Sequence, residues 1–255
     1  HNALIGREHT TSFRRGYDLE KIMIVSEYNF TDYYHKYITI EADELTEQLN
    51  DIVKITEKDC YVLCSSYCDE EGLIHFNVLS VGQSWEHCTR GLKNKKMLGD
   101  FTIDEVYYKT MRVAEADRDM IEKNQPFLEM MDQNIDEDVL KSREDARLDE
   151  IRDVYYPDVV YAGMIHDLSM YEYPMRITGI KGPFLVGALL EEPKDAIGVH
   201  EGEPVYALPY LNDGVRLFAL FAGEHLDAEQ KKVMNQLIQE TNEIGIDFHG
   251  ISLKN

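Results

Sequence analysis

The chain has 255 residues, enough for one large or two modest domains, and 44% of them are apolar, enough to supply a core. Lys and Arg number 26 against 48 Asp and Glu, a formal charge of −22. That charge repels phosphate backbones and anionic lipid, so nucleic acid and membrane surfaces are excluded as general partners. Two readings fit that charge: a protein partner with a basic surface, or plain solubility. No apolar run approaches the roughly 20 residues that a membrane helix needs. The first eighteen residues lack the apolar centre of a signal peptide. Four cysteines are too few for a disulfide scaffold, so a reducing compartment, the cytoplasm, is expected.

In chain order, residues 22–25 (IMIV) read as a buried strand and residues 36–40 (KYITI) as a second. Tyr28, Tyr33, Tyr34 and Tyr37 crowd the connection. Leu45, Leu49, Ile52 and Ile55 then recur at helical spacing. Residues 60–68 and 73–81 read as two strands joined by Asp69-Glu70-Glu71-Gly72, where glycine supplies the left-handed turn position. A loop follows over residues 83–100. It holds the only tryptophan, Trp85, with His87 and Cys88, and then the one basic cluster of the chain, Arg90, Lys93, Lys95 and Lys96. Trp and Arg are frequent binding anchors, so Trp85, His87, Arg90, Lys93, Lys95 and Lys96 form the candidate binding set.

A boundary is expected near residue 100, dividing an N-terminal α+β domain (1–100) from a C-terminal one (101–255). Residues 102–131 read as helical, interrupted at Gln125-Pro126 by a break or a new first turn, because proline lacks the amide donor and clashes with the preceding turn. Residues 134–153 read as a charged surface helix with Glu137 and Lys141 paired at i,i+4. A β-rich core spans residues 155–222, punctuated by prolines at strand starts and edges. A last helix covers residues 227–244, with Asp227 as its cap and Gln230 completing a capping box, and a final strand follows. The tetrapeptide (Glu/Asp)-Val-Tyr-Tyr occurs at 105–108 and again at 153–156, but the flanking residues differ, so it marks no repeat. The fold class expected is α+β, with mixed, mainly antiparallel sheet and flanking helices.

The cysteines Cys60, Cys64 and Cys68 invite a metal reading, with His75, His87 or Cys88 completing the set. Strand geometry argues against it, since Cys60 and Cys68 would lie about 27 Å apart at 3.4 Å per residue. As one helix they would still span about 12 Å, too long for a single ion. Free thiols on a strand are expected, no metal and no cofactor, with a disulfide from Cys88 to a strand cysteine left open. There is no G-x-S-x-G, no H-E-x-x-H, no P-loop and no G-x-G-x-x-G, and no catalytic residue is assigned. Glu191, Glu192, Glu201 and Glu203 sit at expected solvent-facing turns after strands, whereas general acid–base work needs a buried carboxylate. Sixteen tyrosines beside one tryptophan suit protein contact surfaces where exposed, as rigid rings with a polar tip, or the buried side of edge strands.

Residues 117–131 (DRDMIEKNQPFLEMM), with Pro126, Phe127 and Leu128, and residues 172–209, with Phe184, Gly187, Leu189, Glu192-Pro193, Gly202-Glu203 and Val205, together resemble a family of small uncharacterised bacterial domains. The resemblance covers about a third of the chain, near residues 117–210. It departs in an insertion at about residues 133–160 and in Tyr173-Pro174, where a tryptophan-bearing strand belongs. It implies a small β fold with short turns and a bacterial origin, and no mechanism. The function expected is a non-enzymatic protein-binding module, immunity-like or inhibitor-like, against a basic partner. The competing expectation is a small-molecule hydrolase or metal-dependent enzyme built on the Cys/His region 60–88. The sequence does not set the oligomeric state.

Overall fold

The computed structural model describes residues 22–45, 49, 60–90, 98–115, 118–166, 169–181, 184–194, 199–211, 215–222 and 232. The helix expected over 227–244 and the strand after it lie outside these residues, apart from Lys232. The fold is α+β. One six-stranded sheet has the order β1-β6-β2-β3-β4-β5, and a second set of strands, β7 to β11, closes into a barrel.

In the sheet, β1 (Met23–Ile24), β2 (Tyr37–Glu41), β3 (Tyr61–Cys68), β4 (Ile74–Gly82), β5 (Gly99–Thr102) and β6 (Thr110–Val113) all pair antiparallel. The period of two sorts the side chains. Ile38 and Ile40 on β2, Val62, Cys64 and Cys68 on β3, and Ile74, Phe76 and Val78 on β4 join one core cluster. That cluster also takes Phe30, Tyr33 and Tyr34 from α1 (Phe30–Tyr33) and its end, and Ile103 and Val106 from α3 (Ile103–Val106). Tyr37, Leu63, Cys88 and Met120 form a smaller cluster with side chains of the opposite parity. Covered on both faces, β3 is buried at every position after Tyr61. The expected hairpin is present. Gly72 has φ +81°, and Asp69 Oδ1 accepts from the amides of Glu71 and Leu73 at 3.0 and 2.8 Å.

β5 runs across residue 100 and β6 follows it in the same sheet, so the sheet takes strands from both sides of the boundary expected there. The expected helix over 102–131 is instead α3, β6 and α4 (Arg118–Asp132). Met111 on β6 is fully buried against the sheet, and that burial overrides the local helical pattern. α4 continues through Pro126, where a break or a new first turn was expected. Met120, Asn124 and Leu128, at successive i,i+4 positions, are buried on both sides of the proline, and this packing offsets the lost hydrogen bond.

The expected surface helix over 134–153 is α5 (Glu137–Arg143) followed by a 3-10 helix (Ala146–Ile151). It is no surface element, because Ser142, Arg143 and Leu148 are fully buried. The Glu137–Lys141 pair does form, at 3.1 Å.

The barrel is a meander of β7 (Val159–His166), β8 (Ser169–Lys181), β9 (Phe184–Leu189), β10 (Pro204–Leu211) and β11 (Val215–Ala222). Consecutive strands are antiparallel, so the first and fifth run the same way. Closure must therefore be parallel, and β11 pairs with β7 in that sense through Leu217↔Ala162 and Phe218↔Gly163. Val160, Ala162, Tyr173, Met175, Ile177, Leu185, Leu189, Val205 and Ala207 pack together inside, with Val139 and Leu148 packed against them. A β-bulge between Ile177 and Gly179 bends the long β8, and Asp138 Oδ2 accepts from the Ile180 amide beside it at 3.2 Å. Among the described residues no helix is long and apolar enough to cross a membrane.

Candidate binding surface

The sheet and the barrel meet where the β3–β4 turn reaches residues 153–158. Arg143 anchors this joint. Its Nε and Nη2 donate to Asp158 Oδ1 and Oδ2 at 2.9 and 2.7 Å, and Nη2 also donates to the Asp69 carbonyl at 3.2 Å. Burial opposes the Arg143 cation, but the bonds to Asp158 and the surrounding groups outweigh it and hold its pKa up. Arg152 is different. It donates to the carbonyls of Pro157 and Asp145 at 2.6 and 3.3 Å and to that of Ser142, and only approaches Asp149, at 3.4 Å. Here burial wins, lowering Arg152 and raising Asp149. Thr31 donates to Asp149 across the joint at 2.5 Å, and the Ile74 amide donates to the Tyr155 carbonyl at 3.3 Å.

The two Val-Tyr-Tyr tetrapeptides come together at this joint. Glu105-Val106-Tyr107-Tyr108 ends α3, and Asp153-Val154-Tyr155-Tyr156 leads into β7. The Tyr107 ring lies 5.6 Å from the Tyr155 ring and 5.0 Å from the Tyr108 ring, edge-on to the latter. Tyr108 is 79% exposed, and Val154, Tyr155 and Tyr156 are exposed as well. The acidic residue of each tetrapeptide builds the local turn. Glu105 Oε2 accepts from the Thr102 amide at 2.8 Å, and Asp153 Oδ1 accepts from the amides of Tyr155 and Tyr156 at 3.0 and 3.1 Å. The result is an exposed aromatic cluster with carboxylates already held in place. Asp104, on α3, and Glu27, at the end of the 3-10 helix Val25–Glu27, are exposed as well.

Of the residues expected to bind partners from sequence, Trp85 and His87 lie elsewhere. Residues 85–90, expected in a loop, form helix α2 (Trp85–Arg90). Ser84 starts it by accepting from the His87 amide at 3.3 Å, and buried Cys88 pins it, with its thiol donating to the Tyr61 carbonyl at 3.1 Å. Trp85 is half-buried, 4.8 Å from the Tyr61 ring, and His87 is exposed. Arg90 ends the helix, and Lys93, Lys95 and Lys96 lie outside the described residues. All four cysteines are free thiols. Cys64 and Cys68 sit in the sheet's main cluster and Cys88 in the smaller one. Burial raises the thiols of Cys64 and Cys68, which disfavours thiolate. Among the described residues no three His, Cys, Asp or Glu side chains converge as metal ligands.

One further polar group is fully engaged. His75 Nδ1 meets Asp100 Oδ2 at 2.6 Å and Nε2 meets Asp69 Oδ2 at 3.1 Å, while the ring stacks on Tyr67 at 5.1 Å. Tyr67 donates to the other Asp100 oxygen at 3.1 Å. A neutral imidazole can donate from only one nitrogen, so two carboxylates favour the cation, and the His75 pKa is raised, chiefly by Asp100. The carboxylates of Glu192 and Glu203 serve the β9–β10 connection, at His200 Nδ1 (2.7 Å) and the His200 amide (2.9 Å) respectively, and both residues are exposed.

The tyrosine pairs were visible in the sequence as a repeated tetrapeptide, but their meeting depends on the joint, which no local pattern announces. No family model, no curated protein and no solved structure matches the chain.

Proposed function

We propose that this chain is a non-catalytic binding module whose partner is a protein with a basic surface, and that Tyr107, Tyr108, Tyr155 and Tyr156 form the docking surface. The observation that carries this reading is the exposed tyrosine cluster at the joint, flanked by pinned carboxylates. Tyrosine offers large contact area with little entropy to lose, and a chain of charge −22 draws a basic partner in from a distance. An immunity-like or inhibitor-like role in the bacterial cytoplasm is the sharpest form of the proposal. Trp85 and His87 on α2 provide a second, smaller contact region.

The competing hydrolase or metal-enzyme reading draws little support from the same residues. Three of the cysteines are buried, and both nitrogens of His75 are engaged by carboxylates. The test is retention of a basic protein from source lysate on immobilised chain, compared with the Tyr108→Ala/Tyr155→Ala double variant. Stoichiometric retention by the native chain and loss by the variant is expected. Equal retention by both removes the tyrosine surface from the account.

A further inference from the structure

The chemistry of the tyrosine surface specifies the group it receives. We infer that the paired tetrapeptides take arginine side chains of a basic protein segment, in preference to lysine. This rests on the docking surface proposed above and names the side chain that surface recognises.

Three features lead there. The first is ring presentation. Tyr108 and Tyr155 are exposed beside the half-buried Tyr107 ring, which packs on the sheet's core, and they stand at 83° and 42° to it, so the two outer rings face solvent at different angles. A planar, weakly hydrated guanidinium stacks on such faces, whereas a compact ammonium keeps its water. The second is the state of the carboxylates. Among the described residues, Glu105 engages only its Oε2 and Asp153 only its Oδ1, each in its own turn. The remaining oxygen of each is held by a turn already formed, so an incoming N–H meets an acceptor without ordering a side chain. The third is the duplication itself. Two acid-Val-Tyr-Tyr units adjoin at 5.6 Å between the Tyr107 and Tyr155 rings, so each unit brings exposed tyrosine and a turn-held carboxylate to one surface. A segment bearing two arginines fits it. Lys109, the next cation along the chain, pairs with Glu44 at 3.5 Å instead.

The test measures binding of the full chain to three synthetic probes by fluorescence anisotropy: a two-arginine peptide, its two-lysine counterpart, and the same peptide with neutral citrulline. The arginine peptide is expected to bind at least about fivefold tighter than the lysine peptide, with citrulline weakest. Tyr108→Ala should bring the arginine peptide down to the lysine value, and Tyr108→Phe, which keeps the ring, should preserve the difference. Because Tyr108 is 79% exposed, neither variant threatens the fold. Equal affinity for arginine and lysine peptides, both weakened by Tyr108→Ala, overturns the arginine preference and leaves the docking surface standing. Binding untouched by Tyr108→Ala and Tyr155→Ala, or no binding of any probe, overturns the docking surface itself.

Discussion

His75 links a single proton to the hold of one turn. Asp69 caps the β3–β4 turn with one oxygen and meets His75 with the other, while Asp100 on β5 takes the second ring nitrogen. Its folded pKa lies above the ordinary value of 6.5, through Asp100 first and Asp69 after the opposing effect of burial. The stabilisation is therefore fully present below pH 6.5, the unfolded value, and fades as pH rises through the higher folded value. Denaturant unfolding at a series of pH values should show the native chain losing stability over that window relative to His75→Asn, with the difference between the two flat at lower pH. Gly72 sits in the same turn at φ +81°, and a Cβ there would stand 2.7 Å from Asp158 Oδ2. Gly72→Ala should cost at least about 1–2 kcal/mol from backbone conformation alone, measured by the same unfolding. The turn was legible from Asp69 and Gly72. The His75 bridge was not, because Asp100 reaches it only through the β4–β5 pairing.

At the scale of elements, the joint depends on α5 and the 3-10 helix after it. Residues 134–153 look like a surface helix because charges dominate, yet Arg143 and Arg152 point inward and find Asp158 and backbone carbonyls far enough along the chain to leave no periodic signal. Arg143→Met leaves the Asp158 carboxylate buried without its cation, and should cost about 3–5 kcal/mol in thermal or denaturant unfolding. The double variant Arg143→Met/Asp158→Leu should recover much of that loss, because it removes the orphaned charge. The barrel has its own sensitive point. A Cβ at Gly187 would lie 2.5 Å from both the Arg176 carbonyl oxygen and Met175 Cγ, so Gly187→Ala should destabilise by about 1–3 kcal/mol through overpacking. Alternation made β3, β4 and the barrel strands readable one at a time. The short β6 was read as helix because only its pairing with β1 and β2 makes it a strand.

Across the whole molecule, charge and shape act together. The chain carries −22, and its tyrosine surface stands at the joint between sheet and barrel. On the proposed function, long-range attraction would speed the approach of a basic partner and the aromatic contact would hold it. Association rate should therefore fall as salt is raised, while Tyr155→Ala should act mainly on the dissociation rate, both readable by stopped-flow mixing with the two-arginine peptide. The acidity and the tyrosine excess were plain from composition. Where the tyrosines gather was not, because Tyr107 and Tyr155 are 48 positions apart and long-range contacts, those of Arg143, Ile74 and Thr31 among them, bring their segments together. The most direct measurement is hydrogen exchange of the full chain with and without the two-arginine peptide, read by mass spectrometry. Slowed exchange centred on residues 104–109 and 153–158 is predicted. Unchanged exchange in both segments, or protection centred on residues 85–90, would contradict the account.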